Sequence, residues 1–402
     1  MSGPSGQLAQ FTYGYDDARN VVMQTDQYGS HQFAYDGLNR LTQTTRAVSA
    51  GLPNESYTYD RVGNREQPGN AASYAYDSNN RITASPGRTY AFDADGNTIT
   101  RSDGATLSYD PGNRLVTFSQ AATTAQYLYD SSGRRLRKSI NGVHRWFLWD
   151  GTSLLGEYDA SGARLKRYSY LENDALPIQV QDAAGTYYVQ SDHLQTPRLL
   201  TGASGAIVWR SRQEAFGATL VEQDVDGNGV AIVFNQRLPG QYYDSESGLH
   251  YNYFRDYDPQ IGRYVQSDPI GIKGGNNTYA YTTNNPLTWA DLLGLDSGPP
   301  ICSGRDCVNP PYDPTPDGPK PSPQPRTPPA GKAPPDAPRY DMCPKGPLKK
   351  PCKWCVDYAC NYAPAYCCDI DNKGCLAGRE DDPTAIVECN GRFTACMFRA
   401  GK

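Results

Sequence analysis

The densest set of reactive side chains lies at the end of the sequence. Between Asp341 and Lys402 stand nine of the 11 cysteines: Cys343, Cys352, Cys355, Cys360, Cys367, Cys368, Cys375, Cys389 and Cys396. Thiols at that density either cross-link or hold metal. A segment this short cannot rely on an apolar core, so staples of one kind are expected. Cys352-x-x-Cys355 is half of a zinc ribbon, but a second Cys-x-x-Cys is missing and no histidine follows His250. Disulfides are therefore the expectation, with zinc the alternative, and no cofactor is called for elsewhere. Disulfides would place the tail outside a reducing cytosol. Nine is odd, so one thiol is left over or pairs with Cys302 or Cys307. The tail carries 9 Lys and Arg against 8 Asp and Glu, a balance that nominates no nucleic-acid target. Lacking histidine, it also lacks the commonest general base. Its carboxylates Asp357, Asp369 and Asp371 could serve chemistry, though nothing singles them out.

Earlier in the chain three constellations raise chemical readings, and each has a plainer one. Ser191, Asp192 and His193 have the side chains of a hydrolase, yet a triad is assembled in space and its members rarely adjoin in sequence. "DVDGNG" puts Asp224, Asp226 and Asn228 at calcium-loop spacing before Gly229. Position twelve is Asn235 where a bidentate Glu is wanted, and Asp-Gly-Asn-Gly is also a strong hairpin signal. Trp146, Phe147 and Trp149 suit a sugar platform or, more ordinarily, inward packing on a strand. The basic run from Gly133 to Ser139 is expected to be a solvated face.

The elements that must position such groups repeat. "YTYDRVGNR" begins at Tyr57, with near copies placing aspartates at Asp36, Asp77, Asp93, Asp110 and Asp130 beside Asp60, in steps of 16 to 24 residues. Worn copies lie near Tyr13 and Tyr28. Tyr-x-Tyr sets two rings on one face of a strand, because side chains alternate with period two. Asp then bonds its own backbone to start a turn, and Gly or Asn supplies the positive φ that the turn needs. Each unit is thus one hairpin, and hairpins are not stable alone in water. They must stack edge to edge into one extended, curved antiparallel sheet, an all-β fold. The 30 tyrosines against 10 phenylalanines, and a mean hydropathy of -0.67, suit a sheet with a wetted face.

Bulk composition narrows the function classes. A net charge of -5 gives no broad attraction to nucleic acid or anionic membrane. No run of 18 apolar residues predicts a membrane span. "MSGPSGQLAQF" has no basic region leading into an apolar one, so export would depend on a specialised secretion apparatus or a fused partner. The stretch 296–340 holds 15 of the 31 prolines and reads as an extended spacer.

The "YDxxNRL" and "YDxxGNR" units resemble the RHS/YD-repeat family of bacterial polymorphic toxins, with its teneurin-like YD-shell. "SDHLQTPR" and the stretch from Gly240 to Leu295, "GQYYDSESGLHYNYFRDYDPQIGRYVQSDPIGIKGGNNTYAYTTNNPLTWADLLGL", are similar to that family's RHS-associated core. The resemblance implies four parts: repeats forming a β-shell (1–215), the core (216–295), a linker (296–340) and a variable Cys-rich effector (341–402). It also implies an upstream or companion shell protein, a cognate immunity protein and delivery to the cell surface or beyond. Some members cleave themselves at the end of the core with two aspartates. The matching residues here are Asp268 and Asp291, and the implied cut is the bond Leu295–Asp296. Two departures stand out: the family's proline after the second aspartate is Leu292, and an arginine before the first is Ser267. Loss of the proline is expected to loosen the aim of Asp291. The alternatives are a cell-surface recognition scaffold without a toxic tail, and a degenerate orphan cassette.

Overall fold

A computed structural model describes residues 2–3, 6–66, 74–171 and 176–295. The proline-rich stretch and all the cysteines lie outside the described residues. The described ones fall within the first of the chain's two units, Met1–Val308. Among them there is no α-helix; strands follow one another as an antiparallel meander, each pairing with its sequence neighbour. After a short pair (Ser2–Gly3 with Gly6–Gln7) comes a sheet of five strands, from Thr12–Tyr15 to Glu55–Ser56, and a second two-stranded pair (Thr58–Tyr59 with Arg65–Glu66) follows it. Sixteen strands, from Ala75–Tyr76 to Thr219–Glu222, make the main sheet. A four-stranded sheet then forms from Tyr242–Asp244, Leu249–Asn252, Arg255–Asp258 and Arg263–Tyr264. The repeats thus divide into sheets where one continuous sheet was expected. The described strand ladder stops at Glu66 and resumes at Ala75.

What carries the row across that break is the turn. In every repeat the backbone of Asp closes onto the residue four places on. Asp36 N–H donates to Arg40 O, Asn39 N–H returns to Asp36 O, and the Leu38 and Arg40 amides donate to Asp36 Oδ1 at 2.9 and 3.0 Å. The third position after Asp has positive φ, 60° at Asn39 and 85° at Gly63, which favours Asn or Gly, although Arg19 and Gln195 take it in the worn turns. The fourth position splits the turns into two classes. Asn20, Asn64 and Asn97 each donate to their own aspartate and onward, at 2.9 Å, to Asn39, Asn80 and Asn113 of the next turn. Arg40, Arg81 and Arg114 each bond their own aspartate and donate onward to the carbonyl of the next one, Asp60, Asp93 or Asp130. Turns with Asn and with Arg at the fourth position alternate from Asp16 to Asp110, and the hydrogen bonds run unbroken from Asp16 to Asp130. A register shift falls just before the aspartate in repeat after repeat, as at Ala34/Tyr35 and Leu128/Tyr129. Such bulges add twist at the same place in each hairpin.

One face of the sheets is buried and the other is not. In Thr123–Tyr129, for instance, Ala125 and Tyr127 are buried between exposed neighbours. The buried face meets residues from 215 onward. Phe118, Leu115 and Tyr127 pack with Leu249 and Val265, Trp209 and Leu200 with Phe234 and Tyr251, and Val21, Phe33 and Leu41 with Phe216. By contrast every residue of Leu249–Asn252 and Arg255–Asp258 is buried, as a sheet covered on both sides requires. The core therefore plugs against the inner face of the repeats.

It also clasps the Gly-Asn turns. Asn285 donates to Asn20 Oδ1 (2.8 Å), Asn277 and Arg263 donate to Asn64 Oδ1 (2.7 and 2.9 Å), and Asn284 donates to Gly63 O (3.0 Å). Further along, Tyr279 donates to Gly96 O and Tyr251 to Gly133 O, both at 2.8 Å. Asn64 is the most heavily used joint, being 2% exposed with four partners. Asn64→Ala strands Arg263 and Asn277 without that acceptor, so a loss of about 2 to 3 kcal/mol is expected. The midpoint of urea unfolding should fall accordingly, with the slope unchanged.

Candidate functional site

A buried ionic cluster ties the core to the middle of the main sheet. Arg135, 1% exposed, stands on the strand Arg135–Ile140 and bonds Asp244; Asp256 lies 3.5 Å away. Its guanidinium is flanked by the rings of Tyr127 and Tyr251 at 4.3 and 4.1 Å. Lys138, from the same strand, bridges Asp244 and Glu246 at 3.0 and 3.1 Å. The basic run expected on a solvated face is thus buried at Arg134, Arg135 and Lys138. The charges of the core supply the partners that a local reading of the run cannot show.

Within this cluster burial pushes the Asp256 carboxyl up to about 6, against the pull of Arg135 and of the Gln266 hydrogen bond. An acid with a raised folded pKa favours the fold fully below its ordinary value and loses that contribution as pH rises through about 6. Buried His250, held well below its usual range by desolvation, acts in the opposite sense and opposes folding as pH falls below 6.5. The difference between Asp256→Asn and the parent isolates the first effect. The variant should gain relative stability between pH 4 and pH 7, as read by denaturant midpoints at each pH.

The end of the core gathers a second constellation, from four short segments. Asp268 lies beyond the strand Arg263–Tyr264, and Asp291 lies in the final turn; they are 7% and 2% exposed. Arg255, on its own fully buried strand, reaches both: its Nη2 lies 2.9 Å from Asp268 Oδ2 and 3.3 Å from Asp291 Oδ2. Tyr264 donates to Asp291 Oδ2 at 2.7 Å and accepts from Asn252 Nδ2 at 2.8 Å. The other Asp291 oxygen accepts the amides of Gly294 (2.8 Å) and Leu295 (3.0 Å), so the carboxylate grips the chain it precedes. Asp268 Oδ2 and the Leu295 carbonyl oxygen both converge on Gly274, where a side-chain carbon would meet them at 2.5 and 2.6 Å.

Leu292 does not loosen this arrangement, contrary to expectation. The segment is fixed from outside: Asn252 Nδ2 donates to Asp291 O, Phe254 N–H to Leu293 O and Arg255 Nε to Gly294 O. Gly294 sits at φ 70°, where a Cβ would strike Asn252 O at 2.5 Å, so the turn requires glycine. The Asn252 and Arg255 side chains and the Phe254 amide replace what a proline ring would supply. Ser267, the other departure, donates to Thr278 at 3.0 Å and takes no part in the carboxylate pair. Arg255 fills the cationic place.

A model of the Teneurin YD-shell family matches residues 17–287. The chain belongs to the RHS/YD-repeat polymorphic toxin family. Among curated relatives it is 30% identical over 329 residues to double-stranded DNA deaminase toxin A of Burkholderia cenocepacia, covering 72% of this chain and 22% of that one. It is also 30% identical over 359 residues to toxin protein Tse5 of Pseudomonas aeruginosa, covering 70% and 27%. This chain therefore spans about a quarter of the length of these two relatives. The TcdB2-TccC3 structure without its hypervariable C-terminal region shares the fold, with a TM-score of 0.57 at 20% identity over 73% of this chain and 17% of that one.

The remaining sequence candidates resolve as parts of the RHS scaffold. Asp192 is the aspartate of a worn repeat turn, accepting the amides of Leu194 and Thr196, and His193 contacts Leu287 O at 2.9 Å. Asp224 accepts the amides of Asn228 and Gly229, so the calcium-like loop is a self-bonded turn. Trp149 points inward, donating to Arg135 O and packing on Tyr251 and Tyr253. Arg255, Tyr264 and Asn252 were not anticipated from sequence. The available signal was a charge inside an aromatic strand run, "YNYFRDYD", since buried charges require partners.

Proposed function

We propose that this chain is the shell-and-core end of a polymorphic toxin that cuts its own backbone at Leu295–Asp296 and so frees the segment beyond. What supports the reading is Asp268 and Asp291 on one arginine, with the Leu295 amide on one carboxylate and its carbonyl oxygen facing the other across Gly274. Two carboxylates that share a proton can divide the acid and base roles over an amide. In the hydrolysis a water oxygen bonds the Leu295 carbonyl carbon. One water proton passes to the ionised carboxylate, and the protonated carboxyl gives its own to the carbonyl oxygen. The C–N bond then breaks, the Asp296 nitrogen takes a proton from the carboxyl pair, one hydroxyl of the intermediate returns its proton to the pair as the C=O reforms, and Leu295 is left with a carboxylic acid.

The released part comprises the proline spacer and the Cys-rich segment 341–402, which serves as the effector, closed by disulfides once outside the cell. A specialised secretion system carries the protein, a companion shell completes the wrapper and an immunity protein guards the producer. Intact-mass analysis of the purified chain tests the cut. Fragments corresponding to 1–295 and 296–402 are expected, and a single species at the full 44.1 kDa after prolonged incubation would overturn it. Growth arrest on producing 341–402 with an export leader is the corresponding result for the effector.

A further inference from the structure

Besides the Asn and Arg bonds, neighbouring repeats share a third rule. Where the residue before the aspartate is Tyr35, Tyr59, Tyr109 or Tyr129, it donates to the main-chain carbonyl five places beyond the previous aspartate; Tyr76 makes no such bond and Phe92 has no hydroxyl to give. Tyr35 reaches Val21 O, Tyr59 reaches Leu41 O, Tyr109 reaches Thr98 O and Tyr129 reaches Leu115 O, all at 2.7 or 2.8 Å. Where the residue is Trp149, its indole N–H makes the same bond to Arg135 O. A hairpin with tyrosine or tryptophan at that place therefore offers its predecessor a side-chain donor and an aspartate carbonyl, and meets a carbonyl and often an arginine coming back.

At the strand Thr12–Tyr15 this code is open on one side. No other strand pairs with its outer edge among the described residues. Tyr15, in the donor position, is 56% exposed, whereas Tyr35, Tyr59, Tyr109 and Tyr129 are partly buried. The Asp16 carbonyl accepts Arg19 N–H, but among the described residues no arginine reaches it as Arg40 reaches Asp60. The Asp16 turn has Asn20 at its fourth place as the Gly-Asn turns do, with Arg19 at the third, and each later turn with asparagine at the fourth place follows an Asn-Arg turn.

We propose that the edge Thr12–Tyr15 docks one Tyr-Asp hairpin of the Asn-Arg class from another polypeptide. The incoming arginine would donate to Asp16 O, and the residue after that arginine would accept the Tyr15 hydroxyl. The proposal takes its partner class from the companion shell invoked above and names the surface and the sequence that fit it. A second copy of this chain is not the occupant, because the strand that returns from each of its own Asn-Arg turns is already paired with the hairpin that follows.

The probe is a backbone-cyclised, fluorescent hairpin carrying the sequence of residues 29–45, which is of the Asn-Arg class, titrated into the full chain and read by anisotropy. Saturable binding is expected. It should weaken about fivefold with Tyr15→Phe, which deletes one hydroxyl donor, and about tenfold when alanine replaces the probe's arginine. Absence of binding, or binding indifferent to both changes, overturns the proposal. So does a dimer of the unprobed chain, detected by sedimentation, that Tyr15→Phe dissociates, since the occupant would then be a second copy. Cleavage at Leu295 is read separately by mass, so either result can fail while the other stands.

Discussion

Asp291→Asn is expected to leave the purified chain in one piece under conditions where the parent is fully cut. The amide can keep the Gly294 and Leu295 bonds through Oδ1, so the turn survives. What it cannot do is take a proton or balance Arg255, and its NH2 would face two donors at the position now occupied by Oδ2. Asp268→Asn should give the same outcome from the other side. Loss of a group that transfers the proton in the reaction lowers rates by about a hundredfold or more, a difference that intact mass over a day resolves. Thermal unfolding of both variants distinguishes lost chemistry from lost fold. A variant that folds like the parent and still yields the 1–295 fragment at the parental rate would remove the carboxylate pair from the mechanism.

Arg135→Met should be the most destabilising single change in the core–sheet contact. Methionine fills much of the aliphatic volume between Tyr127 and Tyr251 but removes the cation that faces Asp244 and Asp256. Lys138 alone would then serve Asp244 and Glu246. Breaking a buried pair from one side costs about 3 to 5 kcal/mol, because the abandoned charge remains buried. Chemical denaturation gives the size of the loss, and limited proteolysis locates it, since the core should become cleavable before the repeats. Adding Asp244→Leu to Arg135→Met should recover part of the loss, by removing the charge that had been left alone.

How much of this was legible in the sequence differs by level. The hairpins were readable from Tyr-x-Tyr-Asp and from Gly or Asn at the third turn position, because those residues act within one turn. The wiring between turns was not. Asn64 and Arg40 look like ordinary turn residues, and their partners Asn80 and the Asp60 carbonyl lie a whole repeat away. Asp268 and Asp291 could be named from family resemblance, but 23 residues of sequence say nothing of the distance between their side chains. Arg255 escaped notice for the same reason: its role is defined by two residues from later segments. The misreading of Arg135 has one cause, which is that local sequence reports charge and not the burial that later strands impose.

The two turn classes also limit how such a protein can change length. An Asn-Arg turn can be followed by a turn that also ends in arginine, as Arg114 reaching Asp130 in its Gly133-Arg134 turn shows. A Gly-Asn turn cannot be followed by a second one, for its asparagine needs the Asn that only the other class carries at the third position. Deleting one Asn-Arg hairpin would therefore cut the row, whereas deleting one Gly-Asn hairpin would sacrifice only a rivet to the core. Genes for shells of this design should grow and shrink chiefly by two-hairpin cassettes, and their crossover points should respect that step.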